Sequence, residues 1–203
     1  MSLKFHAWTA YESGAEIMSS DPEALLTEEG YLAIERRAEF RSEFYEGEMF
    51  AMAGASRRHN RIVTNLVTAL DTQLRDRPCN VYSNDMRVKV SSTGLFTYPD
   101  LVVTCGEEMF ADDEQDVLLN PLVIVEVLSA STEAYDRGKK FEHYQSIGSL
   151  STYILVAQDV PRIEQYVRQE GSRAWIYTES REAGVEIEAI RCDLRLEDVY
   201  AKV

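Results

Sequence analysis

The sequence predicts an α/β protein, a mixed β-sheet flanked by helices. Three observations carry that prediction. Residues 122–128 are apolar and β-branched on both faces, the pattern of a central strand covered on each side. Ile62, Leu66, Ala69, Leu70 and Leu74 recur at helical spacing and give a long helix one apolar face. The order of elements is helix, hairpin, helix, strands, helix, strands, which suits layers packed around one sheet.

Residues 1–24 are weakly patterned, and 25–203 read as a single domain. The first helix is expected over 25–37, with Thr27 as its N-cap; Gly30 weakens it. Residues 40–53 read as a hairpin about Glu46-Gly47. Gly54-Ala55-Ser56 breaks the pattern, and Ser56 can cap the long helix, which runs to about Arg75 before Pro78 stops the chain from continuing it. Strands are expected over 80–82, 86–90 and 98–104, with Thr93-Gly94 as a turn. Residues 107–120 are acidic and irregular, a surface loop. After the central strand come a polar break at 129–132, a helix over 135–147 and an apolar strand over 152–157. Three strands at 162–168, 174–178 and 185–190 form a late meander, and a short helix over 196–200 closes the domain.

The bulk properties narrow the function. The chain has 203 residues, 45% of them hydrophobic and 28% charged, enough for a sizeable core. No apolar run approaches the roughly 20 residues needed to span a bilayer, and the N-terminus lacks the pattern of a signal peptide. The expectation is a cytoplasmic protein with no membrane partner. Cys79, Cys105 and Cys192 are odd in number and far apart, so they are expected to be small core residues and not a disulfide or zinc framework. The net charge is −14, with 35 acidic residues against 21 basic ones. Any grip on nucleic acid must then come from a local basic patch or from metal ions.

Against this background two carboxylates and a lysine stand out. Asp100 lies in Tyr98-Pro99-Asp100-Leu101-Val102-Val103, near a sheet end or edge that a ligand can reach. Glu126 is the only charge between Pro121 and Thr132. In a strand buried on both faces a lone glutamate needs a partner, either a cation or a basic side chain. Lys140 follows on the next helix, with Tyr144 one turn later. Such a trio suits phosphodiester hydrolysis. Asp100, Glu126 and a main-chain carbonyl, best that of Val127, can hold Mg²⁺, with Mn²⁺ as its substitute. Lys140 then stabilises charge on the phosphate in preference to acting as a base. Many metal nucleases carry their lysine two residues after the glutamate; here that position is Leu128.

At these residues the chain resembles a family of bacterial restriction endonucleases, once a domain of unknown function, within the PD-(D/E)XK superfamily. The resemblance spans residues 25–203. It rests on Glu43-Phe44-Tyr45-Glu46-Gly47-Glu48, His59-Asn60-Arg61-Ile62, Tyr98-Pro99-Asp100, Val125-Glu126-Val127-Leu128-Ser129 with Ser131-Thr132, and Asp136-Arg137 with 140–144. It implies a restriction-endonuclease-like core with Asp100 and Glu126 as metal ligands. It also implies a lysine displaced onto the following helix, matching Leu128 and Lys140. Glu43 matches the family's early glutamate, a further carboxylate or a brace for the site.

The best basic patch is Arg57, Arg58, His59 and Arg61, at the start of the long helix, where free N–H groups favour phosphate. His143 faces either the site or solvent. The leading expectation is therefore a Mg²⁺-dependent DNA endonuclease, with a homodimer through the late strands, with Tyr166, Trp175 and Tyr177, suiting the cutting of both strands. The alternative is a nuclease-like fold that binds or assembles without cutting, favoured by the acidic balance and by Leu128.

Overall fold

The computed structural model describes residues 25–203, so the weakly patterned segment expected over 1–24 lies outside the described residues. Thr27 caps helix α1 (Glu28–Glu35) by accepting from the Gly30 N–H at 3.1 Å. Strands β1 (Ser42–Tyr45) and β2 (Glu48–Ala51) form the expected hairpin. Its turn residues, Glu46 and Gly47, both have positive φ, 50° and 84°, a pair of angles that favours glycine at the second position. Ser56 caps helix α2 (Arg57–Leu74) by accepting from the His59 N–H at 3.1 Å. Ile62, Leu66, Leu70 and Leu74 of α2 are buried.

Strands β3 (Cys79–Ser83), β4 (Arg87–Val90), β5 (Leu95–Thr97) and β6 (Leu101–Cys105) follow. The strand expected over 98–104 begins three residues later, at Leu101, and a separate strand β5 precedes it. Pro99 has no N–H to donate to a ladder, and Tyr98-Pro99-Asp100 becomes the link between β5 and β6. The acidic segment contributes the two-residue strand β7 (Val117–Leu118), then comes β8 (Val123–Leu128), buried along its whole length. The helix expected over 135–147 is two helices, α3 (Glu133–Arg137) and α4 (Lys139–Gln145). They break at Gly138, whose φ of −107° and ψ of −103° are not helical.

Strands β9 (Thr152–Ala157), β10 (Ile163–Arg168) and β11 (Trp175–Ser180) form an antiparallel meander. The third member expected of that meander is not part of it. Strand β12 (Gly184–Ile187) pairs with β13 (Cys192–Arg195), which the sequence reading lacked, as a separate ribbon. Helix α5 (Leu196–Val199) ends the fold.

A six-stranded sheet in the order β11-β10-β9-β8-β6-β3 is the centre of the molecule, and only its β8–β9 pair is parallel. A five-stranded sheet in the order β2-β1-β5-β4-β7 lies beside it. Alternation along β8 divides the core. Val123, Val125 and Val127 join Ile62, Leu66 and Leu70 of α2 and Leu194, Leu196 and Val199. Ile124 and Leu128 join Phe141, Tyr144, Tyr153 and the five-stranded sheet through Val88, Val90 and Leu95. Glu126 lies on this second face, between two apolar neighbours of its own strand.

The expectation that all three cysteines are simple core residues is corrected. Antiparallel pairing of β3 with β6 sets Cys79 directly opposite Cys105, and the two form a disulfide. Their separation of 26 residues hid a pairing that skips the intervening β4 and β5. Cys192 is free and buried.

Candidate active site

The site forms where the C-terminal end of β8 passes the start of β6 and the first turn of α4. Antiparallel register places Leu101 opposite Val125, so Asp100 lies level with the next residue of β8, Glu126. The Asp100 main-chain N–H points to Glu126 Oε2 at 3.4 Å. The other oxygen, Oε1, is 2.8 Å from Lys140 Nζ and accepts from the Tyr144 hydroxyl at 2.9 Å. Helical spacing explains the second contact, since Lys140 and Tyr144 are one turn apart and present the same face. The three residues expected to meet do meet, with Glu126 as the link.

Lys140 is shared by more acids than one. Its Nζ lies 3.4 Å from Glu43 Oε1 and 3.6 Å from Asp136 Oδ1. Glu43, on β1 between β2 and β5, also accepts from the Thr97 hydroxyl. Asp136 was not among the candidate residues. Its signal was present in the spacing Asp136-x-x-x-Lys140, which an uninterrupted surface helix would have made an ordinary exposed pair. The break at Gly138 and the overlying sheet bury it instead.

Asp100 has its own partners. Its Oδ2 accepts from the Val127 N–H at 2.7 Å and lies 3.1 Å from His59 Nε2. The Val127 main chain is therefore at the site, with its amide taken by Asp100. His59 was expected on an exposed phosphate-binding patch. Its side chain is instead 11% exposed and turned inward, because Ser56 fixes the first turn of α2 above β6 and β8. Arg57, Arg58 and Arg61 are exposed and make no ion pair among the described residues. His143 faces away, toward Thr93 and the Tyr45 ring.

The charges are poorly balanced and the cluster is largely buried. Glu126 and Lys140 have side chains 4% and 6% exposed. Burial pushes the Glu126 carboxyl up to about 8 against the pull of Lys140, and the neighbouring charges of Asp136 and Asp100 add to the rise. Burial likewise raises Asp136. Burial opposes charge on Lys140, yet Glu126, Tyr144, Glu43 and Asp136 together hold its pKa well above the ordinary lysine value. Lys140 is thus an ammonium, suited to holding an anion and not to taking up a proton. Burial would lower the pKa of His59, but the hydrogen bond and charge of Asp100 raise it, helped by Asp136 and the Val127 main chain.

With this geometry in view, residues 28–197 match the Uma2 family, described as "Putative restriction endonuclease". The chain belongs to the Uma2 family. Two relatives from Synechocystis sp. (strain ATCC 27184 / PCC 6803 / Kazusa) extend the match. "Uncharacterized protein sll1609" is 38% identical over 164 residues, covering 81% of this chain and 92% of its own. "Uncharacterized protein slr1290" is 30% identical over 181 residues, covering 89% and 94%. The fold is similar to that of a crystal structure of "a putative nuclease belonging to DUF820" from Anabaena variabilis ATCC 29413. The TM-score is 0.69 at 17% identity, over 85% of this chain and 96% of that one. The Uma2 match covers every element that contributes to the site, from β1 with Glu43 to α4 with Lys140.

Among the hollows on the surface of the described residues of this Uma2 fold, two bear on the site. The larger, about 580 Å³, is lined by residues 148–151 and 168–173, at the end of β8 opposite Glu126. Arg168 there donates to the carbonyls of Gln145, Ile147 and Leu150, which makes it a structural brace. The smaller, about 400 Å³, runs beside α2 past Arg41, Asn60, Thr64, Ser83 and Asn84. It adjoins the site, since the Asn84 N–H donates to the Asp100 carbonyl at 3.2 Å.

Proposed function

We propose that the protein is a divalent-cation-dependent DNA endonuclease that hydrolyses phosphodiester bonds at Asp100, Glu126 and Lys140. The observation that carries this reading is the convergence of those three side chains, from three separate elements, around Glu126. The donor chemistry fits a cation. Four carboxylates, Glu43, Asp100, Glu126 and Asp136, gather around one ammonium and one imidazole, which leaves the cluster short of positive charge. Restriction-endonuclease-like families generally use divalent metals, and oxygen donors of this kind suit Mg²⁺ or Mn²⁺. Asp100, Glu126 and the Val127 carbonyl would hold the ion. Among the described residues no three acidic, histidine or cysteine side chains are already spaced as a closed cage. A main-chain carbonyl is therefore the natural third donor.

Once bound, such an ion supplies a water of lowered pKa and positive charge beside the scissile phosphate. The rest falls to the protein. Lys140, held charged by three acids, presents an ammonium to the phosphate oxygens. Glu43 and Asp136 fix Lys140 between them, so both act as positioning residues. The groove along α2 leads to Asp100 and offers a polar path for a nucleic-acid strand. Arg57, Arg58 and Arg61 at the head of α2 would hold its phosphates. Cutting of both strands would suit a homodimer, and access to DNA a cytoplasmic place of work.

One observation favours a non-cutting binder instead. Glu126 Oε1 already satisfies Lys140 and Tyr144, the state of a closed structural pair. Plasmid nicking separates the two readings. With Mn²⁺ or Mg²⁺ the wild type should convert supercoiled plasmid to open circles, and Asp100→Ala should not. Equal nicking by both proteins, or none by either, would remove the endonuclease reading.

A further inference from the structure

We propose that the groove beside α2 binds one strand of DNA through its bases, so that the substrate is unpaired DNA and not an intact duplex. This inference rests on the endonuclease reading above and names its substrate class. The first support is the chemistry of the groove, a hollow of about 400 Å³ between α2 and the end of β3. Its lining is mostly neutral. Val63 and Val67, which pack on the core beneath α2, offer methyl groups. The Thr64 and Thr68 hydroxyls give their hydrogens to the Asn60 and Thr64 carbonyls, both at 2.8 Å, and keep oxygens that can accept. The charged lining residues, Arg41 and Asp85, neutralise each other at 2.8 Å. A duplex turns its phosphates outward and would present charge to such a groove. A single strand presents base faces and edges, which methyl groups, hydroxyls and amides can meet.

The second support is Asn84. Its main chain is fixed on both sides, by the N–H given to the Asp100 carbonyl at 3.2 Å and by the carbonyl that accepts from Arg41 at 2.5 Å. Its half-buried side-chain amide lines the groove and makes no hydrogen bond among the described residues. An amide held in one place with both its functions open suits the edge of a base. The third support is Phe40, which directly precedes Arg41 and is 78% exposed. A ring left in water next to such a groove is a platform on which an unstacked base can lie. The fourth is the exposed stripe Arg57, Arg61, Thr64 and Thr68, set four, three and four residues apart along α2. It carries charge only at the head of the helix. Phosphates would be held there, while the bases that follow enter the neutral part of the groove.

The test is fluorescence anisotropy with the full chain in a chelating buffer. Three probes of one length are compared: a mixed-sequence single strand of DNA, its duplex, and an abasic strand that keeps the phosphates and lacks the bases. The single strand should bind at least about tenfold more tightly than either of the others. Phe40→Ala should weaken it about fivefold or more, the loss of one stacked base. Thr64→Glu, which puts a charge in the groove, should weaken it at least as much. Ile176→Ala serves as a control, since Ile176 is 49% exposed on β11, at the opposite edge of the six-stranded sheet from β3, and should leave binding unchanged. Circular dichroism checks that each variant is folded; both test positions are exposed. Duplex or abasic strand bound as tightly as the single strand would overturn the proposal whatever the variants do. Unchanged affinity in folded Phe40→Ala and Thr64→Glu would overturn it too. If the wild type still nicks plasmid and Asp100→Ala does not, the endonuclease reading stands and only the single-strand groove is excluded. If the wild type neither nicks plasmid nor binds any of the three probes, both ideas fall together.

Discussion

Arg137 and Lys140 stand three residues apart, on either side of Gly138, and they anchor two ion clusters of opposite character. Arg137 donates to Glu164 through two nitrogens, at 2.5 and 2.6 Å, and to Glu133 at 2.8 Å. Arg162 reaches Glu164 from the other side at 3.2 Å. Two guanidinium groups meet two carboxylates, and the Arg137 hydrogen bonds hold the Glu164 carboxyl below its usual range. Around Lys140 a single ammonium meets Glu43, Asp136 and Glu126, with Asp100 beyond. Burial lifts the Glu126 carboxyl in spite of that ammonium. A balanced cluster is complete as structure. A buried cluster rich in one charge is costly by itself, which makes it a candidate for function where the balanced cluster is not.

The largest expected effect comes from removing the only strong base at the acid-rich cluster. Lys140→Met should cost about 3–5 kcal/mol of folding stability, because it leaves buried carboxylates without a counter-charge. Urea unfolding at pH 7 without added metal measures this. A loss below about 1 kcal/mol, the scale of an exposed pair, would break the contrast, because Lys140 would then be no more than a surface charge.

A sharper division comes from paired amide substitutions. Glu126→Gln imitates the protonated carboxyl that burial favours at pH 7, and the amide oxygen can still accept from Lys140. Stability at pH 7 should change by no more than about 1 kcal/mol, while Mn²⁺ binding is lost. Glu164→Gln discharges the acceptor of two charged hydrogen bonds and turns one of its oxygens into a donor facing Arg137, and should cost about 1.5–3 kcal/mol, with Mn²⁺ binding intact. The opposite pattern in urea unfolding and calorimetry would reverse the roles given to the two clusters.

The same two glutamates should give stability opposite slopes with pH. In the fold Glu126 rises from its ordinary value of 4.5 to about 8, so the folded state holds a proton that the unfolded state has released. Its contribution is full below pH 4.5 and is lost as pH climbs through about 8. Glu164 is lowered from 4.5, so its contribution is present above that value and is lost as pH falls through the lower folded one. Unfolding free energies in a chelating buffer should show both limbs. Glu126→Gln should flatten the decline toward pH 8, and Glu164→Gln the decline toward acid. A wild-type curve level across that upper range would contradict the burial assigned to Glu126.

Much of this was legible in residue pattern. A strand apolar on both faces with one glutamate can be read directly, because burial on two sides leaves few residue types possible. The α2 stripe and the Ser56 cap were equally local signals. What escaped were relations set by tertiary register. Asp136 reads as a surface partner of Lys140 until Gly138 bends the chain and a second sheet covers both. His59 reads as part of an arginine patch until the cap fixes which way the first turn faces. The alternation of Cys192-Asp193-Leu194-Arg195 is a strand signal that the sequence reading lacked, and its pairing with β12 is set by tertiary register. Cys79 and Cys105 meet only because β3 pairs with a strand beyond its next two in sequence.

The smallest expected effect tests whether the two clusters are independent. Arg137→Lys keeps the charge and replaces a planar fork by a single ammonium. Glu164 then loses one of two parallel hydrogen bonds but keeps Arg162. The stability cost should be about 0.5–1.5 kcal/mol, the worth of one such bond, visible as a small shift of the urea midpoint. Mn²⁺ affinity should not move, although residue 137 is only three positions from Lys140 and one from Asp136. The reason is the non-helical backbone at Gly138, which ends one helix and begins the next, so that Arg137 points to β10 while Lys140 points to β8. A change in Mn²⁺ affinity would mean that strain crosses that break, and that the balanced cluster also holds Asp136 in place.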